Sequence, residues 1–283
     1  SPMRSWSGVR GRSGNRWKRI AGRWIPAGLT VGGVCVADVL GDNALGATTP
    51  PPSLLAEMLQ GPLADIDDIV FAVRAPGKDG HWYANFGYAA SGPNDTMYGQ
   101  GGSRLCKLSL RSGQSIDIVA DGTGTLRDPQ LHYSGKKILF SYRRGGTPNF
   151  HLYEIDVDGT GLRQITDGPF NDIEPIYLPD GDLLFCSSRC YRWVQCWFTQ
   201  VAIQYRCDSQ GGRVRPLSAN CEQDNTPWML PDGRVLYMRW EYVDRSRVNY
   251  HHLWTMNPDG TGQMIFYGNL HQGTVMLDAK PIP

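Results

Sequence analysis

Cysteine is the residue type here whose clustering most invites chemistry. Cys186, Cys190, Cys196, Cys207 and Cys221 fall within 36 residues, and Cys106 stands apart. Thiols at such density ligate zinc, tether haem or pair as disulfides. Zinc needs short, regular ligand spacings, whereas the intervals between these five hold three, five, ten and thirteen residues. Covalent haem needs Cys-x-x-Cys-His. The nearest approach, Cys186-Ser-Ser-Arg-Cys190-Tyr191, has one residue too many and a tyrosine in place of the histidine. Structural disulfides are therefore the expectation, in any of the 15 connectivities open to six cysteines.

Other constellations give less. Gly-x-Ser-x-Gly and His-Glu-x-x-His are both absent, so no nucleophile or metalloprotease motif is present. Asp156-Val-Asp-Gly-Thr-Gly161 looks like the start of a calcium loop, but position 165 holds Ile165 where a bidentate Glu is required. A hairpin turn is expected there instead. His251 and His252 are neighbours on an expected strand, so they face opposite ways and suit structural roles better than one shared site. Arg239-Trp240-Glu241-Tyr242 sets a cation and a carboxylate on one strand face beside aromatics. Arg239 and Glu241 are ligand-contact candidates, with cross-strand pairing as the plainer reading. His81, Trp82 and Tyr83 open a Gly- and aromatic-rich stretch running to Gly102. A loop of that kind on a rigid scaffold is a place for specificity. No catalytic, cofactor or metal ligand is assigned.

Charge and composition narrow the partners. The 283 residues are 41% hydrophobic and 11% aromatic, a folded composition, and 34 Gly with 19 Pro mark it as turn-rich. The first 47 residues carry seven basic and two acidic side chains, then an uncharged run from Trp24 to Ala37, then Leu45-Gly46-Ala47. That order reads as a signal peptide over 1–47, with cleavage before Thr48 and export to the periplasm or cell exterior. The uncharged run is 14 residues, short of the ~20 of a spanning helix, so no stable membrane span is expected. Without the leader the net charge is −4, which lacks the basic footprint of a nucleic-acid binder.

The positioning elements repeat. Asp128-Pro-Gln-Leu-His-Tyr-Ser-Gly-Lys-Lys-Ile-Leu-Phe140, Glu174-Pro-Ile-Tyr-Leu-Pro-Asp-Gly-Asp-Leu-Leu-Phe185 and Thr226-Pro-Trp-Met-Leu-Pro-Asp-Gly-Arg-Val-Leu-Tyr237 share one plan. Their prolines at 129, 175 and 227 and their glycines at 135, 181 and 233 advance by the same 46 and 52 residues. Each copy reads as a hairpin whose Gly takes the tight turn, followed by an apolar run suited to a strand buried on both faces. A second alternating hairpin follows, turning at Asp158-Gly159, Gln210-Gly211 and Asp259-Gly260. Four strands per unit of ~40–50 residues is the signature of a propeller blade. A degenerate earlier unit uses Asp68–Ala72 and Leu105–Gln114, and Asp278-Ala-Lys-Pro-Ile-Pro283 begins another. Asp121-Gly-Thr-Gly124 matches an inter-blade link, not a hairpin turn.

These units resemble TolB-like propeller repeats. Several segments are more closely similar to the middle-domain family of hydrazine synthase alpha subunits, an exported bacterial family: His81-Trp-Tyr-Ala-Asn-Phe-Gly87, Ile138-Leu-Phe-Ser-Tyr-Arg143, Asp172–Gly181, Leu236–Arg245 and Leu253–Thr261. The resemblance implies a six-bladed propeller, often joined to domains carrying c-type haem, which these residues lack the motif to hold themselves. The expectation is an all-β fold of four-stranded antiparallel blades, about four and the start of a fifth, over 65–283. Residues 48–64 are expected as a linker or short helix. The expected role is a binding or scaffold module for protein domains of the same or another chain. The alternative is a redox enzyme component whose haem domains lie outside these residues.

Overall fold

The computed structural model describes residues 53–61, 63–75, 88–89, 92–96, 101–196, 199–242, 245, 249–271 and 273–282. The expected leader (1–47) and His81, Trp82 and Tyr83 lie outside the described residues. A five-residue helix α1, Leu54–Met58, opens the described chain, with the Ser53 side chain accepting from the Ala56 N–H (3.2 Å). That hydroxyl satisfies a first-turn donor the helix cannot serve itself. Among the described residues no helix is long and apolar enough to cross a membrane.

Apart from a 3-10 turn at Ser188–Cys190, everything else regular among the described residues is strand. The first sheet takes β1 (Asp68–Val73), β4 (Ser103–Ser109) and β5 (Ser115–Asp121), with a separate hairpin of β2 (Tyr88–Ala89) and β3 (Gly92–Thr96) between them in sequence. The second is β6 (Thr125–Leu131), β7 (Lys137–Arg143), β8 (His151–Asp156) and β9 (Arg163–Gln164). The third is β10 (Asp172–Tyr177), β11 (Leu183–Ser187), β12 (Ile203–Cys207) and β13 (Arg215–Pro216). The fourth is β14 (Asp224–Met229), β15 (Val235–Trp240), β16 (Tyr250–Met256) and β17 (Met264–Tyr267), and β18 (Thr274–Val275) runs parallel beside the start of β16. In the last three sheets strand order follows chain order and neighbours are antiparallel.

The apolar runs explain how sheet stacks on sheet. Ile138 and Phe140 of β7 join Leu105 and Leu126 in one core, while Leu139 between them joins Leu183, Phe185 and Ile203 in another. A strand covered on both faces needs apolar residues at consecutive positions. Each such fully buried side chain contributes ~1.5–3 kcal/mol. Successive sheets also pack on one another, β1 on β6, β7 on β10 and β11 on β14. These are propeller blades, arranged as the repeat required.

A backbone hydrogen bond joins the second sheet to the third, the third to the fourth, and the fourth to residues 274–278. Asp172 N–H donates to Phe150 O (2.9 Å), Asp224 N–H to Ala202 O (3.0 Å) and Met276 N–H to His251 O (2.9 Å). In the first two of these sheets the link is clamped by an amide: Asn171 Oδ1 accepts from Phe150 N–H (3.0 Å) and Gln223 Oε1 from Ala202 N–H (2.8 Å). Residues 274–278 therefore repeat the entry into a first strand.

Candidate functional site

The strongest concentration of polar chemistry sits where the first strands bulge. The pairing of β6 with β7, β10 with β11 and β14 with β15 shifts register after Arg127, Ile173 and Asn225. The next residue in each, Asp128, Glu174 or Thr226, adopts a left-handed backbone with φ of 56°, 54° and 52°, and Asp278 follows at 53°. Left-handed backbone costs an L-residue about 1–2 kcal/mol, so something must hold it there. Side chains from the preceding sheet do so. Asp128 Oδ2 accepts from the Glu174 N–H (3.1 Å), and Glu174 Oε2 accepts from the Thr226 N–H (2.6 Å).

Buried arginine completes this cluster. Arg127 donates from Nε to Asp128 Oδ2 (2.6 Å) and from Nη2 to Glu174 Oε1 (3.2 Å). Ser141 donates to Asp128, Asn225 Nδ2 to Glu174 (3.4 Å), and the Cys186 thiol to Glu174 Oε2 (3.4 Å). Burial pushes the Glu174 carboxyl above its ordinary range, a shift Arg127 partly offsets. Burial and then Glu174 push the Cys186 thiol well up. A thiol held protonated and enclosed is no nucleophile. The acidic residues before the first two repeated prolines, Asp128 and Glu174, were the sequence signal for this cluster, and their role was not read from them.

Arg239 and Glu241 do not act together. Arg239 grips Asp224 with two bonds, Nε to Oδ1 (2.9 Å) and Nη2 to Oδ2 (3.0 Å), lies 4.5 Å over the Trp254 ring and donates to Gln263 (2.9 Å). Burial opposes its charge, but Asp224 outweighs that and raises the guanidinium pKa. The cross-strand reading is the observed one, since Asp224 faces Arg239 in the β14–β15 register. Arg239 also lines a shallow recess of about 620 Å³ with Pro216, Ser218, Asn220, Cys221 and Gln263. Glu241 instead accepts from Arg245 (2.9 Å), whose guanidinium sits 3.8 Å over Tyr250.

The expected disulfides are not shown among the described residues, where Cys106, Cys186, Cys190, Cys196, Cys207 and Cys221 are free thiols. Strand geometry separates Cys186 from Cys207. Cys186 pairs in register with Gln204 and Cys207 with Leu183, so on these adjacent strands they point to opposite sheet faces. Cys106 belongs to another sheet and donates to Asp117 (3.2 Å). Cys190 donates to Val201 O (3.3 Å), Cys221 lies beside Asn220, and Cys196 is exposed. The same facts bear on haem. Cys186, enclosed against Glu174, cannot share an attachment site with Cys190, so these residues do not fit a c-type haem.

The Asp158 hairpin and the Asp121 link stand where the repeat placed them. Asp158 is in a hairpin turn, its Oδ1 accepting from the N–H (2.9 Å) and hydroxyl (2.7 Å) of Thr160, and Asp259 with Thr261 repeats both bonds. His251 stacks on Trp240 (4.9 Å) while His252 bonds His271 O (3.0 Å). Asp121 closes the inter-sheet link, accepting from Tyr142 Oη (2.7 Å) and the N–H groups of Gly124 (2.8 Å) and Gly145 (2.9 Å). Among the described residues no group of three or more His, Cys, Asp or Glu is arranged to hold a metal ion.

Two comparisons bear on this architecture. Hydrazine synthase subunit alpha of Kuenenia stuttgartiensis is 22% identical over 237 residues, covering 65% of this chain and 27% of the relative. The chain is similar to hydrazine synthase alpha subunits. The solved Kuenenia stuttgartiensis hydrazine synthase superposes with a TM-score of 0.59 at 18% identity, over 80% of this chain and 35% of that one. A putative TolB from Agrobacterium tumefaciens gives 0.46 at 20% identity, over 58% and 56%. No family model matches. The chain thus spans about a quarter of the curated relative and a third of the solved one, and the structural likeness shows a β-propeller fold.

Proposed function

We propose that the chain is an exported β-propeller that binds and orients protein domains of the same or another chain within a larger protein. One observation carries this reading: most of the buried charged side chains are engaged with partners inside a sheet or across to the next one. Glu174 is occupied by Arg127 and Thr226, Asp224 by Arg239, and Asp172 by Arg189 and Ser187. A rigid scaffold with its charges so engaged suits docking through loops. The strands β7, β11 and β15 end, and β8, β12 and β16 begin, at the same end of sheets that share one strand order, and that rim is the contact face we propose.

The similarity to a hydrazine synthase subunit supports a second reading, a redox component completed by c-type haem held in other domains. Expression of the whole open reading frame with its own leader distinguishes them. Cell fractionation, a haemochrome spectrum and cross-linking mass spectrometry are the measurements. Export, with cross-links from the loop rim to a partner domain and no haem signal, supports the scaffold. Haem in the same protein supports the redox reading. Retention in the cytoplasm, or cross-links confined to the opposite rim, overturns the proposal.

A further inference from the structure

Successive sheets use equivalent residues in equivalent places, and one position breaks the pattern. Ser188 N–H donates to Asn171 O (3.0 Å), and Trp240 N–H donates to Gln223 O (2.9 Å). Asn171 and Gln223 also clamp the preceding sheet identically. The residue before each is therefore equivalent, and these are Phe170 and Glu222. Phe170 fills its place as an apolar residue should, edge-on to Tyr191 (5.3 Å) with the Arg189 guanidinium 4.6 Å above it. Glu222 puts a carboxyl into the same kind of place. It is fully buried, and neither oxygen meets a donor at hydrogen-bonding geometry.

Over it lies a short ladder. Val194 N–H donates to Thr199 O (2.9 Å), Val201 N–H to Arg192 O (2.8 Å), and Trp193 bridges Gln200. The Gln195 amide and then the Arg192 guanidinium favour the ionised Glu222 from this ladder, and burial outweighs both. Gln223 ties its base through Gln200 O (2.8 Å). The ladder displays Tyr191 and Trp193, exposed on the loop rim.

We infer that Glu222 is a proton-operated latch: neutral, it keeps the paired segments 192–194 and 199–201 seated, and ionised, it drives them off so that water reaches the carboxylate. A buried carboxylate without donors is costly, and opening is the cheapest way to solvate it. Burial raises the Glu222 pKa to about 7, which sets the working range near neutrality. With a folded-state pKa above the ordinary value, the closed form is favoured at low pH and loses ground as pH rises through that range. Other titratable groups on the packed elements are Cys190 at the ladder's foot, Cys221 beside Glu222, and His251 stacked on Trp240.

Hydrogen exchange on the full chain tests this, with rates corrected for intrinsic pH dependence. Protection of the Val194 and Val201 amides should fall roughly tenfold between about pH 6 and pH 8.5, while Phe185 stays level. Glu222→Gln leaves Cys190, Cys221 and His251 in place and should flatten the profile. Glu222→Leu, an apolar filling like Phe170, should flatten it too and serves if the glutamine variant does not fold. Unchanged wild-type protection across that range, or a pH response surviving in a folded variant, overturns the latch.

Discussion

The Glu174 carboxylate reaches the backbone N–H of Thr226, 52 residues onward and in the next sheet, at 2.6 Å. Asp128 makes the same reach to Glu174 itself, at 3.1 Å. A side chain in one sheet thus fixes a left-handed backbone residue in its successor, and the bond that joins the sheets also holds the bulge.

Glu174→Ala should be among the most damaging substitutions. It removes the Thr226 acceptor and leaves Arg127 buried without its second partner, a loss of about 3–5 kcal/mol. Glu174→Gln keeps the shape and should cost less. Urea denaturation compares both with the wild type, and a Glu174→Gln midpoint equal to the wild type's would show that the ion pair adds nothing.

Asp224 and Arg239 form a two-pronged pair with the aspartate fully enclosed. Asp224→Asn and Arg239→Gln should each destabilise by ~2–4 kcal/mol, since each strands the other partner. The double variant should lose less than the sum, because contacting residues couple. Additive losses would mean that the two act independently.

Two glycines separate backbone strain from crowding. Gly181 (φ 90°) has open space where a side chain would go, whereas a Cβ on Gly211 (φ 82°) would lie 1.9 Å from the Ile165 carbonyl oxygen of the preceding sheet. Gly181→Ala should cost about 1–2 kcal/mol. Gly211→Ala adds an overpacking cost of ~1–3 kcal/mol. Thermal unfolding of both reads the difference, and equal losses would contradict that seam contact.

Thiol reactivity follows enclosure. Burial raises Cys106 to about 11 and Cys207 to about 12, leaving little thiolate at neutral pH. Brief iodoacetamide treatment of native protein should modify Cys196 first and spare Cys106, Cys186 and Cys207 until denaturant is added. Peptide mass spectrometry locates the label. A disulfide-linked peptide instead would restore the pairing that the spacing suggested.

Acid should loosen the link after β5. Burial opposes ionisation of Asp121, but the donors Tyr142, Gly145, Thr123 and Gly124 outweigh it and hold the carboxyl well below its usual range. Its contribution is present above about pH 4 and is lost as pH falls further. Asp121→Asn should lower the melting temperature at pH 7 and lessen its fall in acid. A parallel pH profile for both proteins would remove Asp121 from the account.

The blades were legible because two signals repeat in step, Pro129 with Gly135, Pro175 with Gly181, and Pro227 with Gly233. The structure places those turns where the sequence required. The link at Asp121 and the hairpin at Asp158 were legible for the same reason. The bulge staples were not, although Asp128 and Glu174 stood in the quoted repeats. A residue before proline is steered away from helical backbone, so nothing local announced a left-handed conformation held by a neighbour 46 or 52 residues away. The cysteines misled because proximity in sequence says nothing of sheet face, and Cys186 and Cys207 show why. Glu222 was invisible, since its peculiarity appears only when its place is compared with that of Phe170.

The uneven connections have an evolutionary corollary. Each first-to-second-strand turn spans the same short interval, at 132–136, 178–182 and 230–234, while connections at the other edge range from 144–150 to 74–102. Descendants of this ancestor can lengthen one margin without retuning the joints. Duplication of whole units also preserves every staple, because its mate always lies one period downstream. New recognition can thus be acquired at a single margin while the assembly logic is inherited unchanged.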